Sequence, residues 1–209
     1  MRKSKPVLAA LKLKPARVLH EGKFLKLMDR DGWEFVERVV SADVVAIIAV
    51  TEKQTLVLVE QVRVPVGQAV LELPAGLVAD TQLTQGESLV TAAKRELWEE
   101  TGYEARRWKV WMECPLNPAM SVHRLTIFRA SHLKKTGTGG GNKEELEEIR
   151  VHEMPIAKAV SWIRAREKKG LFIDPKIYTA LFFLSQESKR LSAKRLKKKQ
   201  GRNHKESKS

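Results

Sequence analysis

Residues 95–102 read Arg-Glu-Leu-Trp-Glu-Glu-Thr-Gly. On a helix, at about 100° per residue, Glu96, Glu99 and Glu100 fall within an arc of roughly 100°, because positions i, i+3 and i+4 share a face. Three carboxylates on one face repel each other unless a cation lies among them. Hard divalent ions take carboxylate oxygens, and Mg²⁺ typically combines one or two of them with substrate phosphates. The triplet therefore points to a metal site that handles phosphates. An acidic helix face is ordinarily just solvated. Here Leu89, Val90, Ala93 and Leu97 set an apolar stripe beside the acids, and Gly102 stands where a helix ends in a left-handed residue. That pattern suits a helix lining a cleft.

A phosphate linkage resists water because its oxygens are negative. Bound metal neutralises that charge and lowers the pKa of a bound water. Glu96 and Glu100, one turn apart, are the expected main ligands, with Glu99 sharing. Arg95 is placed to orient them through charge-assisted hydrogen bonds. Glu87 lies near the start of the helix, where a negative charge suits the dipole and a structural role is expected.

The longer run, Glu87, seven residues, then Arg95-Glu96-Leu97-Trp98-Glu99-Glu100-Thr101-Gly102-Tyr103, resembles the Nudix box, G-x5-E-x7-R-E-U-x-E-E-x-G-U with U apolar. The box glycine is displaced. Thr81 holds its position and Gly76 lies five residues upstream, so residues 77–86 read as a lengthened loop. The resemblance extends over residues 18–184. Leu58-Val59-Glu60-Gln61-Val62-Arg63, Leu71-Glu72-Leu73-Pro74-Ala75-Gly76, Glu21-Gly22-Lys23-Phe24 and Gly32-Trp33-Glu34-Phe35 are similar to segments of ADP-ribose pyrophosphatases. So are 117–121 and 145–152.

What the resemblance implies is an α/β Nudix fold. Its mixed sheet is sandwiched between helices, with an N-terminal antiparallel β subdomain that often swaps within a homodimer. It implies Mg²⁺-dependent hydrolysis (Mn²⁺ as alternative) of ADP-ribose to AMP and ribose 5-phosphate, and it adds the Ala75 carbonyl as a metal ligand. Related enzymes take their base from the acidic loop before the penultimate strand, which selects Glu145, with Glu147 as alternate. Phe24 and Trp33 correspond to aromatics that sandwich adenine, Glu34 to an acceptor for its amino group, and Arg63 to a phosphate or ribose contact. Glu72 would buttress the site or touch substrate. Gly76 and Gly102 are structural. Other nucleoside diphosphate sugars, NADH and FAD remain alternative substrates. An RNA-binding or ligand-sensing protein on the same fold is the reading from a different class.

Composition bounds these expectations. A chain of 209 residues, 43% hydrophobic, is enough for one domain with extensions. No apolar stretch reaches the roughly 18 residues of a membrane span. The single Cys114 rules out an internal disulfide and fits a reducing, cytoplasmic setting. The net charge of +14 sits at the two ends. A basic arm over 1–16 and a basic tail over 189–209, expected to be disordered, could give weak contact with RNA or another polyanion. Between them lie a β subdomain over 17–43 and the catalytic domain over 44–188.

The elements that must position the site follow from periodicity. Extended runs over 17–28 and 33–40 flank Asp31-Gly32, a hairpin signal. Residues 44–50 read as a strand buried on both faces. Further strands are expected over 55–62, 108–113, 122–130 and 149–153. Helices are expected over 87–101, over 155–169 with Ile156, Val160 and Ile163 inward, and over 175–187. The glycines at 137 and 139–141 predict a mobile loop hinged before the acids.

Overall fold

The computed structural model describes residues 12–40, 43–79, 84–141 and 148–206, with side chains described up to 190. Its strands and helices in chain order are β1 (Arg17–Glu21), β2 (Leu25–Arg30), β3 (Trp33–Arg38), β4 (Val44–Ala49), β5 (Thr55–Arg63), β6 (Gln68–Glu72), β7 (Ala75–Leu77), α1 (Leu89–Thr101), β8 (Tyr103–Pro115), β9 (Arg124–Lys135), β10 (Arg150–Pro155), α2 (Ala159–Glu167), β11 (Phe172–Ile173) and α3 (Pro175–Glu206). Three sheets have strand orders β1-β2-β3, β10-β5-β6-β11 and β7-β4-β9-β8. The second is mixed, because β11 runs parallel to β6 while β5 is antiparallel to β6 and β10. The architecture is α/β with an antiparallel N-terminal sheet, as the sequence implied.

By contacts the chain forms two compact units. One comprises Met1–Ala46, Gly76–Ala93 and Val110–Phe128; the other comprises Ile47–Ala75, Lys94–Lys109 and Arg129–Ser209. In the first, the expected hairpin forms. Asp31 and Gly32 both adopt positive φ, 54° and 82°, which is the two-residue turn that matches strand twist. The run over 17–28 is not one strand. Gly22 N–H bonds to the Leu25 carbonyl, folding it into β1 and β2. Every residue of β1 is exposed.

His123 of this unit is buried, and its Nε2 accepts the Arg38 backbone N–H at 3.2 Å. Burial, and then the Arg38 charge, push its pKa below the ordinary value, with Glu37 and Asp43 opposing. The folded state therefore resists a proton that the unfolded chain takes up at about pH 6.5. Stability is full above that pH and falls as pH drops from about 6.5 through the lowered folded value. Urea titrations at pH 7.5 and 5.5 should show this loss in the native chain and a smaller one in His123→Gln. Equal losses would remove His123 as the cause.

In the second unit, Ile47, Ile48, Leu56, Leu58, Leu71, Leu73, Leu97, Met154, Ile163 and Ile177 are fully buried or nearly so. The helix expected from residue 155 begins instead with a tight turn, Ile156–Lys158, ahead of α2. That turn shifts the helical phase. Ala159 and Ile163 face inward, while Val160 is 65% exposed, not inward as its spacing suggested. The last helix also differs from expectation. α3 continues to Glu206 rather than ending near 187 before a disordered tail, because Leu, Ala, Lys, Arg and Gln over 189–200 are all good helix formers. No helix among the described residues is long and apolar enough to cross a membrane.

Candidate active site

Ser88 starts α1. Its Oγ accepts the Thr91 N–H at 3.2 Å, a side-chain N-cap. Ala92, Ala93, Leu97, Glu100 and Thr101 form the buried stripe. Glu100 thus lies among core residues, only 5% exposed, and its Oε2 accepts the Ala75 N–H at 3.0 Å. A carboxylate so placed needs donors or a cation to offset lost hydration. One turn earlier, Arg95 Nη1 reaches Glu96 Oε1 at 2.8 Å and Glu99 Oε2 at 3.2 Å. The guanidinium thus holds two of the three acids at one nitrogen.

Among the described residues, no three His, Cys, Asp or Glu side chains gather into a ready metal cage. The donor chemistry nonetheless fits a hard divalent cation. It consists of carboxylate oxygens, and positive charge already sits between Glu96 and Glu99. Glu100 also ties the backbone at Ala75, the residue expected to lend a carbonyl.

Arg63 and Glu72 come from neighbouring strands. Arg63 Nε and Nη2 both lie 2.7 Å from Glu72 Oε2, and Gln61 Nε2 donates to the same oxygen at 3.2 Å. Glu72 is buried, so three donors fix it and it fixes Arg63. Nη1 of Arg63 makes no hydrogen bond within the described residues. Gln61 was missed in the sequence; its period-2 spacing to Arg63 was the available signal.

The glycine stretch is not a loose hinge. Thr136 and Gly137 N–H groups bond to the Gly102 carbonyl, Gly140 N–H to that of Glu100, and Gly141 N–H to that of Glu99, at 2.9 to 3.1 Å. These bonds satisfy carbonyls that a helix end leaves unpaired. Residues 136–141 are therefore a strap on the C-terminus of α1, which corrects the expected mobility. Gly102 itself has φ +69° and bonds back to the Trp98 carbonyl at 2.8 Å, ending the helix as expected. The Ile149 N–H meets the Gly140 carbonyl at 3.3 Å. Glu145 and Glu147, expected as base and alternate, lie outside the described residues.

The remaining expected residues lie in the first unit. Glu87 Oε1 accepts the Ala79 N–H at 3.1 Å, pinning the chain after β7. Gly76 is within β7. Phe24 and Trp33 are 66% and 65% exposed, and Glu34 is exposed in β3. Trp33 Nε1 donates to the Ala119 carbonyl at 3.3 Å. It lines a cavity of about 430 Å³ with Arg30, Phe35, Pro118 and Ser121. Among the described residues, Arg30 Nε and Ser121 Oγ are buried there with no hydrogen-bond partner, a state that costs about 1–3 kcal/mol per group. Phe24 does not line this cavity.

Residues 40–180 match the NUDIX domain model. The chain belongs to the NUDIX family. It is 31% identical over 126 residues to the ADP-ribose pyrophosphatase of Bacillus subtilis (strain 168), covering 59% of this chain and 63% of that protein. It is 39% identical over 130 residues to the ADP-sugar pyrophosphatase of Mus musculus, covering 53% and 57%. The methanol dehydrogenase activator of Bacillus methanolicus is 31% identical over 122 residues, covering 58% and 63%. The chain thus spans less than two thirds of the length of these relatives. A crystal structure of an ADP compounds hydrolase superposes with a TM-score of 0.64 at 18% identity, covering 86% of this chain and 94% of that one. That likeness concerns the fold.

Proposed function

We propose that the chain is a Mg²⁺-dependent hydrolase that cleaves the diphosphate bond of ADP-ribose, yielding AMP and ribose 5-phosphate. The observation that carries this reading is the buried Glu100 carboxylate, tied to Ala75, on the helix where Arg95 gathers Glu96 and Glu99. Glu96, Glu99, Glu100 and the Ala75 carbonyl would hold the metal. Bound there, Mg²⁺ or Mn²⁺ supplies charge neutralisation and a more acidic water. Arg95 keeps the carboxylates in place. Arg63, braced by Glu72, offers Nη1 to a phosphate oxygen. Glu145, or Glu147, accepts the proton of the attacking water. Relatives named for ADP-ribose and ADP-sugars support this substrate class.

In this reading residues 17–43 form the dimerisation and substrate subdomain, and residues 44–188 form the catalytic domain. The exposed Phe24 and Trp33 stack on adenine, with Glu34 accepting from its amino group. A homodimer is supported by the wholly exposed β1. A reducing, cytoplasmic setting is supported by the free Cys114. The basic end of α3 would add weak contact with RNA or another polyanion, lost as salt rises.

The test is incubation with ADP-ribose and Mg²⁺ and chromatography for AMP, beside a panel of other nucleoside diphosphate sugars, NADH and FAD. AMP from ADP-ribose at the highest kcat/KM is expected. Preference for another member of the panel would change the substrate, and no turnover of any would reject the reading.

A further inference from the structure

Side chains alternate across a strand, so Glu60 of β5 faces away from the side on which Gln61 and Arg63 meet Glu72. On its own side, Glu60 Oε1 lies 3.2 Å from Arg150 Nη1, and Oε2 lies 2.6 Å from His152 Nε2. The His152 ring meets Trp162 of α2 edge-on, centroids 5.7 Å apart. Arg166 folds back over that indole, 2.9 Å from its centroid, and its Nη1 donates to the Trp162 carbonyl at 3.2 Å. Half-buried, it forms no ion pair within the described residues. Burial draws its pKa down against the opposing charge of Glu60.

Glu60, Arg150, His152, Arg166 and Lys169 line a cavity of about 420 Å³ whose remaining wall is alanine, glycine and leucine. Cavities of roughly 300 Å³ and above hold small organic ligands. Arg150 and His152 contact Glu60 directly, and among the described residues Arg166 and Lys169 form no ion pair. A cationic last turn suits a helix C-terminus in any case. The dipole does not account for a guanidinium drawn out of water over Trp162 with Glu60 acting on it only at a distance and no direct ion pair among the described residues.

We propose that this cavity is a binding site for a sugar phosphomonoester, its dianion held by Arg166 and Lys169 and its polar body filling the rest. Guanidinium groups bind phosphate oxygens through paired donors. The site lies on the face of the sheet opposite Arg63 and Glu72. It stands whether or not the chain hydrolyses ADP-ribose.

Calorimetric titration of the full chain with ribose 5-phosphate tests it, in EDTA so that no divalent ion brings phosphate to α1. Binding of ribose 5-phosphate, with none of ribose, is expected. Arg166→Gln and Lys169→Gln should each weaken it at least fivefold, and Glu100→Gln should leave it unchanged. Lys169 is exposed, so its variant serves even if Arg166→Gln fails to fold by circular dichroism. Absence of ribose 5-phosphate binding overturns the proposal. So does binding untouched by Lys169→Gln, or binding weakened equally by Glu100→Gln. Inorganic phosphate binding as tightly would overturn the sugar part.

Discussion

Replacing Glu100 with glutamine should lower kcat roughly a hundredfold to a thousandfold and leave the fold intact. Such a loss corresponds to about 3–4 kcal/mol of transition-state stabilisation. The side-chain oxygen that accepts the Ala75 N–H survives in the amide, so the link at 3.0 Å is kept. What is lost is negative charge at a 5%-exposed position. The Mg²⁺ concentration for half-maximal rate should rise, while the KM for ADP-ribose changes less, because the adenine contacts proposed for Phe24, Trp33 and Glu34 are untouched. Steady-state rates over a Mg²⁺ series separate these effects. A variant with native kcat and native Mg²⁺ dependence would show that Glu100 holds no metal.

Gly139→Ala should destabilise the chain by about 3 kcal/mol or more and lower activity with it. Two costs combine. The residue has φ +68°, a conformation that costs an L side chain about 1–2 kcal/mol. An added Cβ would also lie 2.5 Å from the Thr101 carbonyl carbon and 2.7 Å from the Glu100 oxygen. Both are backbone atoms of α1 and cannot rotate away, so overpacking adds about 1–3 kcal/mol. Gly67 provides the control. It has the same φ of +68°, with nothing within 4 Å of an added Cβ. Gly67→Ala should therefore show the conformational cost alone. In urea, the difference between the two variants isolates the clash. If both variants lose the same stability, the strap is not held tightly against the helix.

Much of the site's local structure could be read from the residues. Periodicity placed the acidic helix over 87–101, and α1 runs from Leu89 to Thr101. Ser88 makes its cap and Gly102 its end, both local effects of neighbouring residues. Asp31-Gly32 made its turn for a similar reason. Glycines 137 and 139–141 misled because their permissiveness is legible locally while their use is not. A glycine serves a flexible hinge and a close backbone approach equally well. Only the nearness of Glu100 and Thr101 tells which applies. The inward position expected for Val160 failed because a tight turn of three residues altered the helix phase, a change of a kind that periodicity does not register.

The sequence by itself determined the family, the acid-bearing helix and the chemistry its oxygens favour. Residue type and spacing along one helix suffice for that, since i, i+3 and i+4 are neighbours in any helix. The tertiary structure decided which of those acids is buried and what holds it. It also decided that Glu72 gathers three donors at one oxygen, and that Glu60 turns its charge to the other side of the sheet. These depend on strands distant in sequence pairing in one register, and on hydration lost when they pack. Neither quantity is written in any short run of residues.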